Sequence, residues 1–115
     1  MNIGIIGSRR RNTQDDLIAV ELAFLSIYQQ GDHIVSGGCD TGGDRFAEYL
    51  AKKHQVTILI HYAQWKRHGK SAGFVRNGDI AADSDLLIAC VATDRTGGTE
   101  DTIKKFGTKG QLILV

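Results

Sequence analysis

The chain of 115 residues has no proline and only two cysteines, and these absences narrow its possible folds. Without proline no turn has a fixed φ angle, so the turns must rely on glycine and on short polar residues. Cys39 and Cys90 are too few for a disulfide framework, and they lack the CxxC or Cys/His spacing of a metal site. We therefore exclude a small fold held together by disulfides or zinc, and we expect neither a metal nor a bound cofactor.

Long apolar runs and an excess of one charge are also missing. The net charge is +1, and no stretch approaches the roughly twenty apolar residues of a membrane span. The chain starts with strand-like residues and shows no signal or transit peptide pattern. Together with the low cysteine content, these features predict a cytoplasmic protein that does not bind membranes and has no global attraction to nucleic acid.

Glycine, by contrast, is abundant, with 14 residues in the chain. It lets the backbone turn tightly and bring N–H groups close to a guest, and a following helix adds unpaired N–H groups and the positive end of its dipole. Glycine also serves ordinary strand-to-helix turns, so the recurrence of the pattern is what favours an anion site. The glycine turns after apolar segments are Gly7-Ser8-Arg9, Ser36-Gly37-Gly38 leading to Gly42-Gly43-Asp44, and Gly97-Gly98-Thr99.

Apolar periodicity predicts five strands alternating with four helical segments. The predicted strands are 2–7, 33–36, 56–60, 85–91 and 111–115. The first helix is predicted to open at an N-cap, Thr13, and to stop at Gly31, and the last to open at Thr99 and end at Gly107. The second helix is predicted to follow Gly43, and the third to span 72–83. A polar connection over 63–71 precedes the third helix.

Right-handed crossovers turn such an alternation into a parallel sheet with helices on both faces. We therefore predict a single Rossmann-like, three-layer α/β domain over 1–115, with five parallel strands in the order 3-2-1-4-5. Ligands bind in such sheets beyond the carboxyl ends of the strands, where the strand order reverses. The glycine turns are thus expected to share one rim of the sheet.

Several familiar motifs are absent. The chain has neither the GxGxxG fingerprint nor the GxxxxGK[ST] loop, which argues against a dinucleotide dehydrogenase and a P-loop ATPase. It also lacks the GxSxG elbow of the α/β-hydrolases.

Arg76, in the small-residue helix and next to Asn77, is the candidate side chain for binding a phosphate or carboxylate group, although most arginines are merely solvated.

The run from Arg76 to Ala89, RNGDIAADSDLLIA, followed by Gly97-Gly98-Thr99, resembles the SLOG superfamily. Members include the cytokinin-activating "lonely guy" phosphoribohydrolases, the DprA/Smf proteins and molybdenum-cofactor carrier-like proteins. The motif order resembles the small YspA-like, YpsA-related branch over nearly the whole chain. The motifs are Gly7-Ser8-Arg9, Ser36-Gly37-Gly38 with Gly42-Gly43-Asp44, Ala72-Gly73 with Arg76-Asn77, and Gly97-Gly98-Thr99.

This resemblance implies a Rossmannoid fold and a pocket for a nucleotide or a nucleotide-derived molecule. In the phosphoribohydrolases, an arginine at the position of Arg76 and a glutamate after a PGGxGTxxE motif cleave the bond between base and ribose phosphate. This chain departs from that motif, because Thr102 stands where the glutamate would fall. Glu100 or Asp101 could substitute, although both also suit plain complementation of the helix dipole.

A hydrolase would need a carboxylate near the anomeric carbon to stabilise oxocarbenium character or to activate water. Asp40, Asp44 and Asp101 are the carboxylates near the predicted rim, and Asp44 could instead bind ribose hydroxyls or cap its own helix. Of the residues around the end of the third strand, His61, Tyr62 and Trp65, one could stack on a base. Core or lid packing is the commoner use of such a tryptophan.

We therefore expect the chain to bind a nucleotide or nucleotide-derived ligand as a sensor or sequestering module. The enzyme alternative is an N-glycosidase that releases base and ribose phosphate from a nucleoside 5′-monophosphate, with Arg76 and Asp101 as catalytic residues. The expected ligand-binding residues are Gly7, Ser8, Arg9, Ser36, Gly37, Gly38, Asp40, Gly43, Asp44, Arg76, Asn77, Gly97, Gly98 and Thr99.

The sequence gives weaker support for other kinds of partner. Arg9-Arg10-Arg11 could grip single-stranded nucleic acid, as in a DprA relative, but no wider basic face accompanies the run, so nucleic acid is not the expected partner. A scaffold with a vestigial pocket is a third class of function. Because relatives with this fold often pair through helices beside the pocket, we also expect a homo-oligomer, dimeric or larger.

Overall fold

Five parallel strands form one sheet in the order β3-β2-β1-β4-β5 in the computed structural model, which describes residues 1–115. This confirms the predicted α/β fold and its strand order. The strands are β1 (Asn2–Gly7), β2 (His33–Ser36), β3 (Ile58–Ile60), β4 (Leu86–Cys90) and β5 (Gln111–Leu114). The helices are α1 (Gln14–Ile27), α2 (Gly43–His54), α3 (Trp65–His68), α4 (Ala72–Asp83) and α5 (Gly98–Phe106), with a 3₁₀ turn at Gly69–Ser71.

The central strand β1 separates two apolar cores. Ile3 and Ile5 face the core shared with α1 and α2, where Phe24 and Phe46 are fully buried. Ile6 points to the opposite face, into the core that α4 and α5 close. Burial on both faces explains why β1 and β4 are almost continuously apolar in sequence, as is usual for strands of a covered parallel sheet.

The first helix begins where it was predicted to begin but ends earlier. Thr13 is the N-cap, and it forms a capping box in which its hydroxyl accepts the Asp16 N–H while the Asp16 carboxylate accepts the Thr13 N–H. The predicted stop at Gly31 is wrong, since the helix ends at Ile27 and Tyr28 already has an extended backbone. Gly31, with φ of 97°, lies in the turn that follows.

Three further parts of the structure differ from the prediction, apart from one-residue shifts at the ends of β4 and β5. The connection 63–71 contains α3 and the 3₁₀ turn instead of an irregular loop. The third strand begins at Ile58, and as an edge strand it is only half-buried. The N-cap of α5 is Gly97, not Thr99, because the backbone at residue 97 has φ of 108°, which favours glycine, and this turns the chain into the helix two residues early.

A close backbone contact places α2 on the end of β1. A Cβ atom built on Gly43 would overlap the Gly7 nitrogen and the Ile6 carbonyl, so no side chain fits between helix and strand at this point. The N-terminus of α2 therefore lies against the carboxyl end of the central strand.

None of the helices has the length and apolar character that crossing a bilayer requires.

We expect Gly43→Ala to destabilise the fold by about 2 kcal/mol or more, because the added methyl group must push α2 away from β1. Gly78→Ala is the matched control, since the nearest heavy atom to its Cβ would be 4.0 Å away, in Lys105. That helical substitution should stabilise the chain by roughly 0.5–1 kcal/mol. Urea unfolding followed by circular dichroism measures both, and equal stabilities of the two variants would contradict the tight contact.

Candidate functional site

A cavity of about 280 Å³ opens beyond the carboxyl ends of β1 and β4, where the strand order reverses. Its wall comes from the turns after β1, β2 and β4 and from one side of α4. The lining residues are Ile6, Gly7, Ser8, Arg9, Arg10, Cys39, Thr41, Asp44, Arg76, Asn77, Ile80, Thr96, Gly97, Gly98, Thr99 and Thr102. The three glycine turns thus meet at one site, which is the geometry that a ligand pocket of this fold requires.

Most of the residues expected to bind the ligand line this wall, and the remainder lie behind it or outside it. On the wall are Gly7, Ser8, Arg9, Asp44, Arg76, Asn77, Gly97, Gly98 and Thr99. The others, Ser36, Gly37, Gly38, Asp40 and Gly43, do not line it, and neither does Asp101, the second catalytic candidate of the enzyme alternative. Gly43 supports the wall through its contact with Gly7, and Asp40 is exposed to solvent.

Asp44 is the only carboxylate on the wall, and the turn after β2 fixes it. The hydroxyl of the fully buried Ser36 donates to Asp44 Oδ1 at 3.1 Å, and the Cys39 N–H donates to Oδ2 at 3.1 Å. The N-cap of α2 is Gly42, so Asp44 does not cap its own helix. A carboxylate held in this way can still accept hydrogen bonds from the hydroxyl groups of a ligand.

Arg76 reaches the cavity from α4 with only part of its guanidinium occupied. Its Nη1 donates to the Gly37 carbonyl at 2.7 Å, and its Nε donates to Asn77 Oδ1 at 3.2 Å. Its Nη2 makes no hydrogen bond within the chain, and no carboxylate forms an ion pair with it. The side chain is therefore oriented and has no ion-pair partner within the chain, which suits an arginine that binds an anion.

The start of α5 contributes backbone donors to the same cavity. The N–H groups of Gly98 and Thr99 belong to the first turn and have no acceptor within the chain. No side chain caps this helix end. The unpaired amides and the positive end of the helix dipole both favour an anion at this place.

The three consecutive arginines have different fates. Arg10 donates to both carboxylate oxygens of Asp94 at 2.8 Å, and it also donates to the Thr96 hydroxyl at 2.9 Å. Arg11 pairs with Asp16 at 2.8 Å and donates to the Val91 carbonyl. Arg9 alone has no hydrogen-bond or ion-pair partner, so only one of the three charges is free for a ligand.

Asn77 belongs to α4, is buried, and its side chain reaches α5. Its Nδ2 donates to Asp101 Oδ2 at 3.1 Å and to the Gly98 carbonyl at 3.3 Å. Burial opposes ionisation of Asp101, but hydrogen bonds from Lys105 and Asn77 outweigh it and lower the pKa of this carboxyl. The Asp101 carboxylate is thus hydrogen-bonded to Asn77 and Lys105, and it lies behind the wall of the cavity.

The aromatic residues near β3 also stand outside the wall. The Tyr62 ring lies against Gly38, where an added Cβ atom would be 2.6 Å from the ring. Trp65 is 59% exposed, and His61 Nε2 lies 2.6 Å from the carboxylate of Asp83. The aromatic groups border the site on the side of α4, and none of them closes it.

Sequence analysis missed several lining residues, which are Ile6, Arg10, Cys39, Thr41, Ile80, Thr96 and Thr102. Helical spacing was a usable signal for two of them, because Ile80 lies four residues after Arg76 and Thr102 four after Gly98. Cys39 and Thr41 lie inside the predicted glycine turn. Arg10 could not be distinguished from Arg9 by any local feature.

No group of three or more His, Cys, Asp or Glu side chains forms a candidate metal site. Comparison of the chain with protein-family models, with curated proteins and with solved structures gave no match. The interpretation of the cavity therefore depends on its own geometry.

The ion pair between Arg10 and Asp94 makes a prediction about titration. The hydrogen bonds from Arg10 and Thr96 hold the pKa of Asp94 well below its ordinary value of 3.8. Because the pKa is lowered in the folded state, the contact is complete above pH 3.8 and is lost as the pH falls towards the lowered value. We expect NMR titration of the Asp94 carboxyl carbon to give a midpoint below 3.8, and Arg10→Gln to raise it. A midpoint unchanged in that variant would contradict the contact.

Proposed function

We propose that this protein binds a small phosphorylated ligand of the nucleoside monophosphate class and acts as a sensor or sequestering module. One observation carries the proposal. The oriented but unpaired guanidinium of Arg76 opens on the same cavity as the unpaired amides of Gly98 and Thr99. Guanidinium groups and helix N-termini are the donors that proteins use most often for phosphate.

The charges on the wall support a terminal phosphate. Arg9 and Arg76 supply two positive charges without ion-pair partners in the chain, and the dipole of α5 adds a partial one. A phosphate monoester carries nearly two negative charges at neutral pH, and these groups would offset part of that charge, since the wall also carries the carboxylate of Asp44. Asp44, also on the wall, provides an acceptor for hydroxyl groups such as those of a ribose.

The size of the cavity agrees with a mononucleotide. At about 280 Å³ it lies just below the usual range for small-molecule pockets. A dinucleotide would be too large for this volume and would extend out of the cavity. The proposed ligand is therefore one phosphate, one sugar and one base.

The N-glycosidase alternative has less support from the same geometry. Glycoside hydrolysis generally uses a pair of carboxyl groups flanking the reacting bond. Asp44 is the only carboxylate on the wall, and Asp101 is occupied by Lys105 and Asn77 behind it. We therefore propose binding without turnover, with Asp44 as the one carboxylate that could serve a hydrolase.

The other expectations stay predictions. Self-association has one suggestive feature, the exposed apolar side chains of Ile18, Leu22 and Leu25 along the outer face of α1. The arginine run gives little support for binding of single-stranded nucleic acid, because Arg10 and Arg11 are engaged in internal ion pairs. A cytoplasmic location remains an expectation from the sequence.

Ligand-induced thermal stabilisation tests the binding function. We expect a nucleoside 5′-monophosphate to raise the melting temperature by several degrees at concentrations well above its dissociation constant, and the matching nucleoside without phosphate to do much less. Arg76→Ala should weaken binding by about 10- to 100-fold, since it removes a charge-assisted donor. Arg67→Ala is the matched control, because Arg67 is exposed and does not line the cavity. Equal ligand responses of the two variants would remove Arg76 from the site.

Chromatography of the same mixtures tests turnover. Intact nucleotide after long incubation supports the binding module, whereas free base with ribose phosphate supports the N-glycosidase. If products form, Asp44→Asn should lower their rate by about 100-fold or more, because a neutral amide replaces the one carboxylate on the wall. Product formation that survives this substitution would exclude Asp44 as the reacting group and contradict the arrangement proposed here.

A further inference from the structure

A chain of hydrogen bonds connects Arg76 in the cavity to two residues of α5 behind the wall. Lys105 Nζ donates to Asp101 Oδ2 at 2.8 Å and to the Phe74 carbonyl at 2.6 Å. The same Asp101 oxygen accepts from Asn77 Nδ2 at 3.1 Å. Asn77 Oδ1 in turn accepts from Arg76 Nε at 3.2 Å. Neither Asp101 nor Lys105 lines the cavity.

This chain fixes which way the Asn77 amide points. Its NH₂ group faces two acceptors, the Asp101 carboxylate and the Gly98 carbonyl. A flipped amide would turn its oxygen towards those acceptors and its NH₂ towards the donor Nε of Arg76, so every contact would be lost. Asp101, together with the Gly98 carbonyl, therefore determines that an oxygen atom faces Arg76.

An oriented Asn77 is one of the two restraints on the guanidinium. The other is the Gly37 carbonyl, which accepts from Nη1 at 2.7 Å. An arginine side chain has many rotamers, and each restraint lowers the entropy that remains to be lost when a ligand binds. Because the restraints engage Nε and Nη1, Nη2 is the one nitrogen of this guanidinium that makes no hydrogen bond within the chain.

We propose that Asp101 and Lys105 are positioning residues, which hold the Arg76 guanidinium in its binding orientation through the Asn77 amide. This replaces a catalytic role for Asp101. The proposal deepens the proposed binding function, and it rests on that function only for the effect on ligand affinity. The orientation of Arg76 in the free protein can be measured without any ligand.

The first test uses the Nε–Hε signal of Arg76 in NMR spectra of the ligand-free protein, assigned by its loss in Arg76→Lys. In Asp101→Ala we expect exchange of this proton with water to be about five- to tenfold faster, which is the effect of losing one ordinary hydrogen bond. Asp101→Asn keeps an acceptor for the Asn77 amide, so it should restore most of the protection. If Asp101 served only the stability of the fold, Asp101→Ala would lower the melting temperature and leave the exchange of this proton unchanged.

Lys105→Met provides a second route if Asp101→Ala does not fold. It should accelerate the same exchange by a smaller factor, about threefold, because it removes a donor that holds Asp101 in place. Lys104→Met is the matched control, since Lys104 is exposed on the same helix and makes no hydrogen bond. Unchanged Arg76 exchange in both Asp101→Ala and Lys105→Met would overturn the positioning role. Equal acceleration in both lysine variants would also overturn it.

The second test follows binding of inorganic phosphate by NMR titration. We expect Asp101→Ala to weaken it about fivefold in the native background and to have no further effect in the Arg76→Ala background, as coupled residues behave. Equal losses in both backgrounds would show that Asp101 acts independently of Arg76, and the proposal would fail. If the native protein binds no phosphate, the proposed function fails, while the exchange experiment still decides the positioning role by itself.

Discussion

The site depends on the backbone contact between Gly7 and Gly43. Because neither residue has a side chain, the N-terminus of α2 can rest directly on the end of the central strand. This contact brings the turn after β2 beside the turn after β1, and the strand order places the turn after β4 on the other side. The cavity is the space that remains between these three turns, so its shape follows from a distance that only glycine permits.

The architecture was predictable because the pattern of apolar residues in each segment indicates which of its faces are buried. Strands covered on both faces are continuously apolar, and amphipathic helices between them leave few possible topologies. The ends of helices were less predictable, since neighbouring residues such as threonine and glycine can each serve as the cap. Thr13 and Thr99 look alike in sequence, each followed by acidic residues, yet only Thr13 is a cap, because a glycine at position 97 takes that role in α5.

The site was predictable to a different degree. Backbone groups of the glycine turns could be placed, because the fold determines where strands end. The partners of charged side chains could not be placed, since they come from distant parts of the chain. Arg9, Arg10 and Arg11 are equivalent in the sequence, but Asp94 and Asp16 engage two of them. Asp101 and Lys105 lie four residues apart on one helix, so their pairing had a local signal, but nothing local indicates that Asp101 also accepts from Asn77.

The contact of Arg10 with Asp94 and Thr96 joins the turn after β1 to the turn before α5 across 84 and 86 positions of the chain. Both side chains are more than half exposed, so the ion pair contributes little free energy and less as salt is added. An anion in the cavity would also meet Arg10, which lines the wall, and would compete with Asp94 for it. The strength of this link between two turns of the wall therefore depends on the surrounding electrolyte as well as on the protein.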